Sequence, residues 1–307
     1  LAEEKMNRIL LLGAHGQVGQ ELHKLLCDRS DLLSLGREIA DLANPESLRS
    51  RVLDAQPDII INAAAYTAVD KAESDGDLAQ AVNAIAPQVL AETAQKLGSA
   101  LIHLSTDYVF DGKHHSPYLE TDPTHPLSIY GTTKLAGENA IRATCDRHLI
   151  LRTAWVYGTQ GKSNFVKTML RLGAEREELR VVADQIGAPT WAAHLAGAIA
   201  QLLLQLIPDL AGTYHYTNSG VASWYDFATA IFEEARVLGF PLKLQRVIPI
   251  STKEYPTPAC RPSYSVLGCA KITAVLGVHP PHWREGLRQM LQELYSLTYE
   301  SADSLRR

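Results

Sequence analysis

The sequence lacks any long apolar run. Its best stretch, Ile199 to Ile207, is broken by Gln201 and Gln205 and falls short of the ~20 residues a membrane helix needs. The opening residues, Leu1 to Lys5, are polar, so no signal peptide is expected, and Met6 is read as the initiator behind a short extension. Cysteine is scarce: Cys27, Cys145, Cys260 and Cys269 include no C-x-x-C pair. A chain of 307 residues can bury a sizeable core and needs no disulfide framework. Reduced thiols in a cytoplasmic compartment are therefore expected. Positive charge is not in excess either. The formal net charge of −5 argues against a nucleic-acid partner, and any anionic ligand must be met by a local site. There is no internal repeat and no low-complexity tract. The eleven histidines contain no H-x-x-x-H cluster, and His114-His115 reads as a loop pair, so no metal is called for. What remains is an ordinary globular composition, 46% hydrophobic and 21% charged.

The first half alternates short apolar runs with amphipathic segments. Arg8 to Leu12, Pro57 to Ile61, Ala100 to Leu104 and His148 to Arg152 read as buried strands. Val18, Leu22, Leu25 and Leu26 recur at helical spacing, and a helix is expected from about Leu78 to Leu97. Wholly apolar strands alternating with helices predict an α/β fold, a Rossmann-type doubly wound parallel sheet covered on both faces. After Tyr157 turn residues and prolines multiply, as in Ala188-Pro189-Thr190 and Tyr255-Pro256-Thr257-Pro258. That change predicts a smaller C-terminal substrate-binding lobe. The dinucleotide-binding domain is placed at 6–157, rejoined by about 191–217 through a helix from Trp191 to Leu206. The lobe takes 158–190 and 218–307.

In such sheets ligands bind beyond the carboxyl ends of the strands, so the residues just after each run matter most. Gly13-Ala14-His15-Gly16-Gln17-Val18-Gly19 joins the first strand to the first helix. Glycine allows a tight turn and a close backbone approach, and the helix start offers free N–H groups to a pyrophosphate. A glycine-rich turn without a ligand is the alternative. After the second strand stands Leu35-Gly36-Arg37, where an acidic residue would suit the ribose of NAD. Arg37 suits a 2′-phosphate, so NADPH is preferred, with NADH second. A merely solvated arginine is the competing reading. Asp41 and Leu42 are placed near the adenine.

Tyr130 and Lys134 stand four residues apart, on one face if that segment is helical. A nearby ammonium would lower the tyrosine pKa from its usual value near ~10. Tyr130 could then protonate a carbonyl while Lys134 holds a ribose. The spacing alone is common. Its position after a strand ending in Ser105-Thr106-Asp107 gives it weight: Thr106 can hydrogen-bond a substrate carbonyl, and Asp107 is counted with the cofactor side. Capping of the strand end is the other reading of Thr106. Asn62-Ala63-Ala64-Ala65-Tyr66 follows another strand, where small side chains let a flat cofactor lie against the backbone.

Together these motifs resemble the extended short-chain dehydrogenase/reductase superfamily. Within it, the segments Asn62–Glu73, Ser105–Gly112, Tyr130–Glu138, Arg152–Gly158, Asn164–Met169, Asp184–Thr190 and Arg261–Ser263 resemble the dTDP-4-dehydrorhamnose reductase family. The resemblance runs over nearly the whole chain from Met6. It implies a nucleotide-sugar substrate, reduced at its C4 ketone. It assigns the chemistry to Thr106, Tyr130 and Lys134, and the cofactor to Gly16, Gln17, Val18, Ala64, Ala65 and Tyr66. It assigns the sugar to Thr106 and Trp155, and the nucleotide diphosphate to Asn164, Gln185 and Arg261. Core packing of Trp155 and a surface ion pair at Arg261 are the plain alternatives. Some members bind magnesium through acidic residues at a dimer interface. Glu21 matches one such position, but Trp191-Ala192-Ala193-His194 lacks a second acid, which disfavours a magnesium bridge. A monomer or a homodimer is expected. A non-catalytic relative, the regulatory subunit of methionine adenosyltransferase, resembles the same family and supplies the competing function. An epimerase or dehydratase is a third reading, disfavoured because no Glu adjoins Thr106-Asp107.

Overall fold

The computed structural model describes residues 7–28, 30–204 and 211–300. Met6 and the end of the helix expected to reach Leu206 lie outside them. Five strands form in the first half: β1 (Arg8–Leu12), β2 (Asp31–Leu35), β3 (Ile59–Asn62), β4 (Ala100–Thr106) and β5 (His148–Thr153). They join the strand Gly212–His215 in one sheet, ordered Gly212–His215, β5, β4, β3, β1, β2. Every pairing in it is parallel. From β1 the chain runs outward to β2, then returns past β1 to β3. That reversal opens a crevice between the carboxyl ends of β1 and β3.

Period-two side-chain alternation sends each strand's apolar residues to both faces. On one face Ile9, Leu11, Ile61, Ile102 and Leu151 meet Leu22 of α1 (Gln17–Leu26) and Leu195 and Ile199 of the helix Ala192–Leu204. On the other, Leu10, Leu12, Ile60, Leu101 and Ile150 meet Leu48, Leu90 and Ile141 from three further helices. Each such side chain, fully buried, contributes roughly 1.5–3 kcal/mol. A third core builds the lobe from Val166, Met169, Leu179, Phe227, Ile231, Leu287 and Met290. There the strand Arg246–Ile250 runs parallel to Glu178–Val182.

The helix expected over 78–97 is present but interrupted: a π turn, Ala81–Ile85, separates Gly76–Gln80 from Ala86–Leu97. Pro87 has no N–H to return to the Asn83 carbonyl, so the regular ladder cannot pass this point. A Cβ on Gly137 would lie 2.2 Å from that carbonyl, so a neighbouring helix presses against the bulge. Among the described residues no helix is long and apolar enough to cross a membrane.

Candidate active site

The loop after β1 is held by its own backbone. Gly13 adopts φ +81°, and a Cβ there would lie 2.7 Å from the Ala64 nitrogen, so the loops after β1 and β3 touch. The N–H groups of Gly13 and Ala14 both donate to the Leu35 carbonyl, at 3.1 and 3.2 Å. A Cβ on Gly19 would sit 2.1 Å from the Gly13 carbonyl oxygen, so the start of α1 rests directly on the turn. Gly16 is the N-cap and provides no side chain to cap the helix. The first-turn amides of Gln17, Val18 and Gly19 are thus suited to an anion. This cradle fits a dinucleotide pyrophosphate. The Val18 side chain points into the core, while the Gln17 amide reaches the Val156 carbonyl at 3.4 Å.

At the end of β2, Arg37 is exposed and lies 3.6 Å from Asp41. Beside it His15 pairs with Glu38 at 3.1 Å. A 2′-phosphate here would meet Arg37 and His15, with Glu38 opposing. Asp41 also accepts the Ala43 N–H at 3.0 Å. The Leu42 side chain is buried in the core.

The helix Ile129–Thr144 starts at Ser128, whose hydroxyl accepts the Gly131 N–H at 3.2 Å. Its buried face carries Tyr130, Lys134, Glu138 and Ile141 toward the sheet. Thr106, at the end of β4, accepts the Tyr108 N–H at 3.2 Å and donates to Asp107 at 3.1 Å. Strand-end capping is thus seen at Thr106, and it leaves the hydroxyl at the carboxyl edge of the sheet beside Tyr130. Tyr108 packs edge-on against Tyr130, with ring centroids 5.5 Å apart. Burial pushes Tyr130 up to about 12, an effect the Thr106 hydroxyl lessens and Asp107 adds to. The sequence expectation was the reverse, a tyrosine made more acidic by Lys134. The physical reason is the burial of the phenol itself, which no charge at Lys134 offsets; Lys134 is also lowered by burial, to about 8, against a smaller opposing effect of Glu138. Asp107 is raised to about 6 by burial, and its Oδ2 has no hydrogen-bond partner.

Lys134 Nζ donates to the Leu104 carbonyl at 2.7 Å and lies 3.1 Å from His103 Nε2. His103 Nδ1 lies 3.0 Å from the Asn62 amide nitrogen, and Asn62 Oδ1 accepts the Ala64 N–H at 3.2 Å. Neither His103 nor Asn83 was singled out from the sequence. Asn83, in the π turn, accepts the Tyr66 N–H at 2.9 Å and donates to the Tyr66 carbonyl at 3.1 Å. It thereby fixes the loop holding Ala64 and Ala65. The Tyr66 hydroxyl donates to Asp75 at 3.1 Å. The available signal for His103 was a lone polar residue inside an apolar strand at the ligand edge.

The residues assigned to substrate are dispersed and mostly engaged. Trp155 has a left-handed backbone, φ +48°, a conformation costing a bulky residue about 1–2 kcal/mol. One face of its indole stacks on Trp224, centroids 3.5 Å apart. Asn164 caps the helix Phe165–Glu175 and donates to Gln17 and to the Gly158 carbonyl, both at 2.8 Å. It clips the lobe to the cradle. Gln185 donates to Thr252 at 3.1 Å. Arg261 makes a two-pronged pair with Asp70, at 2.9 and 2.7 Å. Glu21 is buried with Lys24 at 3.4 Å, and Lys24 also lies 3.6 Å from Glu293. An ammonium thus stands between the carboxylates, a donor set that does not fit magnesium. Among the described residues no three metal-binding side chains gather.

A family model described as the RmlD substrate binding domain matches residues 6–296. The dTDP-4-dehydrorhamnose reductase of Escherichia coli K12 is 47% identical over 296 residues, covering 94% of this chain and 99% of its own. The spore coat polysaccharide biosynthesis protein SpsK of Bacillus subtilis is 43% identical, covering 94% and 98%. Among solved structures, dTDP-4-dehydrorhamnose reductase from Bacillus anthracis in complex with NADP superposes with a TM-score of 0.87 at 40% identity, covering 94% and 99%. The UDP-glucose 4-epimerase of Thermus thermophilus, at 20% identity, a TM-score of 0.77 and coverage of 95% and 99%, shares the fold. Matched over nearly all its length, the chain belongs to the RmlD family of dTDP-4-dehydrorhamnose reductases, NAD(P)H-dependent oxidoreductases on a Rossmann-type fold.

Proposed function

We propose that this protein reduces the C4 ketone of dTDP-4-dehydro-β-L-rhamnose to dTDP-L-rhamnose, with NADPH preferred. The observation that carries the reading is the convergence of Thr106, Tyr130 and Lys134, all buried, beside a glycine cradle at the carboxyl edge of the sheet. A nicotinamide bound there supplies hydride. Tyr130 retains its proton over the physiological range, since burial lifts its pKa to about 12, and so can donate it to the carbonyl oxygen. Thr106 orients that oxygen, and Lys134 holds the ribose side of the cofactor. The Thr106 hydroxyl donates to Asp107 at 3.1 Å, which leaves its oxygen lone pairs toward Tyr130 and the Tyr108 N–H. The Trp224-backed indole of Trp155 offers its other face to a sugar ring. The pyrophosphate cradle with Arg37 supports NADPH, and the Lys24 ammonium between Glu21 and Glu293 supports a reaction without magnesium. Residues 6–157 with 191–217 are read as the dinucleotide unit, and 158–190 with 218–307 as the lobe receiving the sugar nucleotide in the cytoplasm.

The test is NADPH absorbance followed with enzymatically prepared dTDP-4-dehydro-L-rhamnose. Stoichiometric NADPH loss is expected. A purified, folded protein that binds NADPH but consumes none would favour the non-catalytic binding partner.

A further inference from the structure

Thr153, the last residue of β5, is buried, and its hydroxyl has no hydrogen-bond partner. Among the described residues two other buried threonine hydroxyls, those of Thr159 and Thr229, are also unpaired. Thr229 lies within the helix Trp224–Leu238 and Thr159 in the loop after Tyr157, so neither ends a strand of the main sheet. Thr153 pairs with Thr106 in the parallel register of β4 and β5, a strand spacing of about 4.8 Å. Period-two alternation puts both on the face of Leu104 and Leu151, the face that packs on α1. Thr106 is not the missing partner. Its hydroxyl already donates to Asp107 at 3.1 Å and accepts the Tyr108 N–H at 3.2 Å. A buried hydroxyl left without a partner weakens the folded chain, and an apolar group of the same shape would not. The empty protein therefore gains nothing from the oxygen of Thr153.

We propose that Thr153 is a cofactor-binding residue whose hydroxyl bonds the carboxamide of a bound nicotinamide. The inference rests on the reduction proposed above: a ring that delivers hydride to a carbonyl held by Thr106 and Tyr130 has to lie beside Thr106. On the cradle side of Thr106, β3 ends in Ala63, Ala64 and Ala65, whose side chains carry no polar atom. On the other side stands Thr153. A hydroxyl both donates and accepts, and a carboxamide does the same through its N–H and its oxygen. The match therefore holds whichever way the amide is turned. A sugar hydroxyl fits the position less well. Trp155, two residues on, leaves the strand with a left-handed backbone and stacks on Trp224 of the lobe, so a sugar on its free face lies on the lobe side. Thr153 stays in the strand and faces α1, whose first-turn amides are the ones suited to the cofactor pyrophosphate.

The measurement is of binding by the full chain, without turnover, so its outcome is separate from that of the reductase assay. Thr153→Val replaces the hydroxyl with a methyl group of the same shape. Without cofactor the variant should melt at the parent temperature or about 1–3 °C above it, because an unpaired buried hydroxyl is gone. NADPH affinity, read by fluorescence titration, should fall about three- to tenfold, the loss of one neutral hydrogen bond. Affinity for 2′,5′-ADP, which keeps the adenosine half and has no nicotinamide, should be unchanged by calorimetry. Thr153→Ser restores a hydroxyl and should recover NADPH affinity. Thr153→Ala, smaller and equally without a hydroxyl, should show the same selectivity as Thr153→Val. Unchanged NADPH affinity in both apolar variants overturns the inference. So does an equal loss for NADPH and 2′,5′-ADP, which would mark a general disturbance of the cradle. Weaker binding of dTDP-L-rhamnose with NADPH affinity intact would give the hydroxyl to the sugar nucleotide instead.

Discussion

Gly19→Ala tests the phosphate cradle through a single methyl group. The added Cβ would meet the Gly13 carbonyl oxygen at 2.1 Å and the Gly13 carbonyl carbon at 2.8 Å, both backbone atoms that cannot rotate away. Comfortable non-bonded separations are about 3.5 Å, so the start of α1 must retreat by on the order of 1 Å. Overpacking of this kind costs about 1–3 kcal/mol, offset by the ~1 kcal/mol that alanine gains over glycine in a helix. Stability should fall only modestly, by up to about 2 kcal/mol. The cofactor should suffer more, because the first-turn amides move with the helix. Losing one hydrogen bond to a charged phosphate forfeits about 1.5–3 kcal/mol, which weakens NADPH binding between about tenfold and about 150-fold. Fluorescence titration with NADPH reads the affinity, and thermal unfolding reads the stability. Gly98→Ala is the control. Gly98 has φ +72° with nothing within 4 Å of its Cβ position, at the end of the helix Ala86–Leu97. It should lose about 1–2 kcal/mol from the left-handed backbone alone and leave NADPH affinity unchanged. A Gly19→Ala protein that binds NADPH like its parent would show that the cofactor does not rest on this helix start.

Tyr130→Phe should lower kcat by about 10²–10⁴-fold, the usual contribution of a general acid, with NADPH affinity retained; near-normal turnover would remove Tyr130 from proton transfer. Arg37→Ala should reduce kcat/KM with NADPH by about ten- to a hundredfold relative to NADH, and an unchanged ratio would sink the 2′-phosphate assignment. Asp107→Asn should stabilise the protein at neutral pH. The carboxyl of Asp107 is raised from 3.8 to about 6 by burial, so the folded state binds the extra proton and its cost is fully present above about pH 6. That cost is up to about 3 kcal/mol at pH 7 and under about 1 kcal/mol at pH 4. Urea midpoints at the two pH values check it, and an equal gain at both would contradict the linkage.

The strands were legible because burial on both faces makes them uninterrupted apolar runs, as in Leu10-Leu11-Leu12 and Ile59-Ile60-Ile61. The glycine turn and Thr106 were legible as positions because both lie just past such runs, and the helical face shared by Tyr130 and Lys134 because they stand four residues apart. Hydrogen-bond partners were not. Arg261 finds Asp70 and Asn164 finds Gln17 across more than half the chain or nearly so, and no local pattern encodes those meetings. The π turn depended on noticing that Pro87 withholds a donor from Asn83. His103 passed unremarked inside an apolar strand, although its polarity was the visible trace of the buried contacts behind Lys134.

The pairing of Lys134 with Glu138 makes the same point from the other side. Residues four apart on one helix are spaced to form an ion pair. The structure gives Glu138 to Arg152, at 2.9 and 2.7 Å, to Arg142 at 3.0 Å and to Ser105 at 2.5 Å. Burial alone would raise its carboxyl, but the hydrogen bonds and charge of Arg152, with Ser105 and Arg142, outweigh it and hold the carboxyl below the usual range. Among the described residues Lys134 has no ion-pair partner, only the Leu104 carbonyl and His103. Burial without a close ion pair holds this lysine at about 8, so it keeps its charge at pH 7 and loses it on mild alkalinisation, which an ion pair would have prevented.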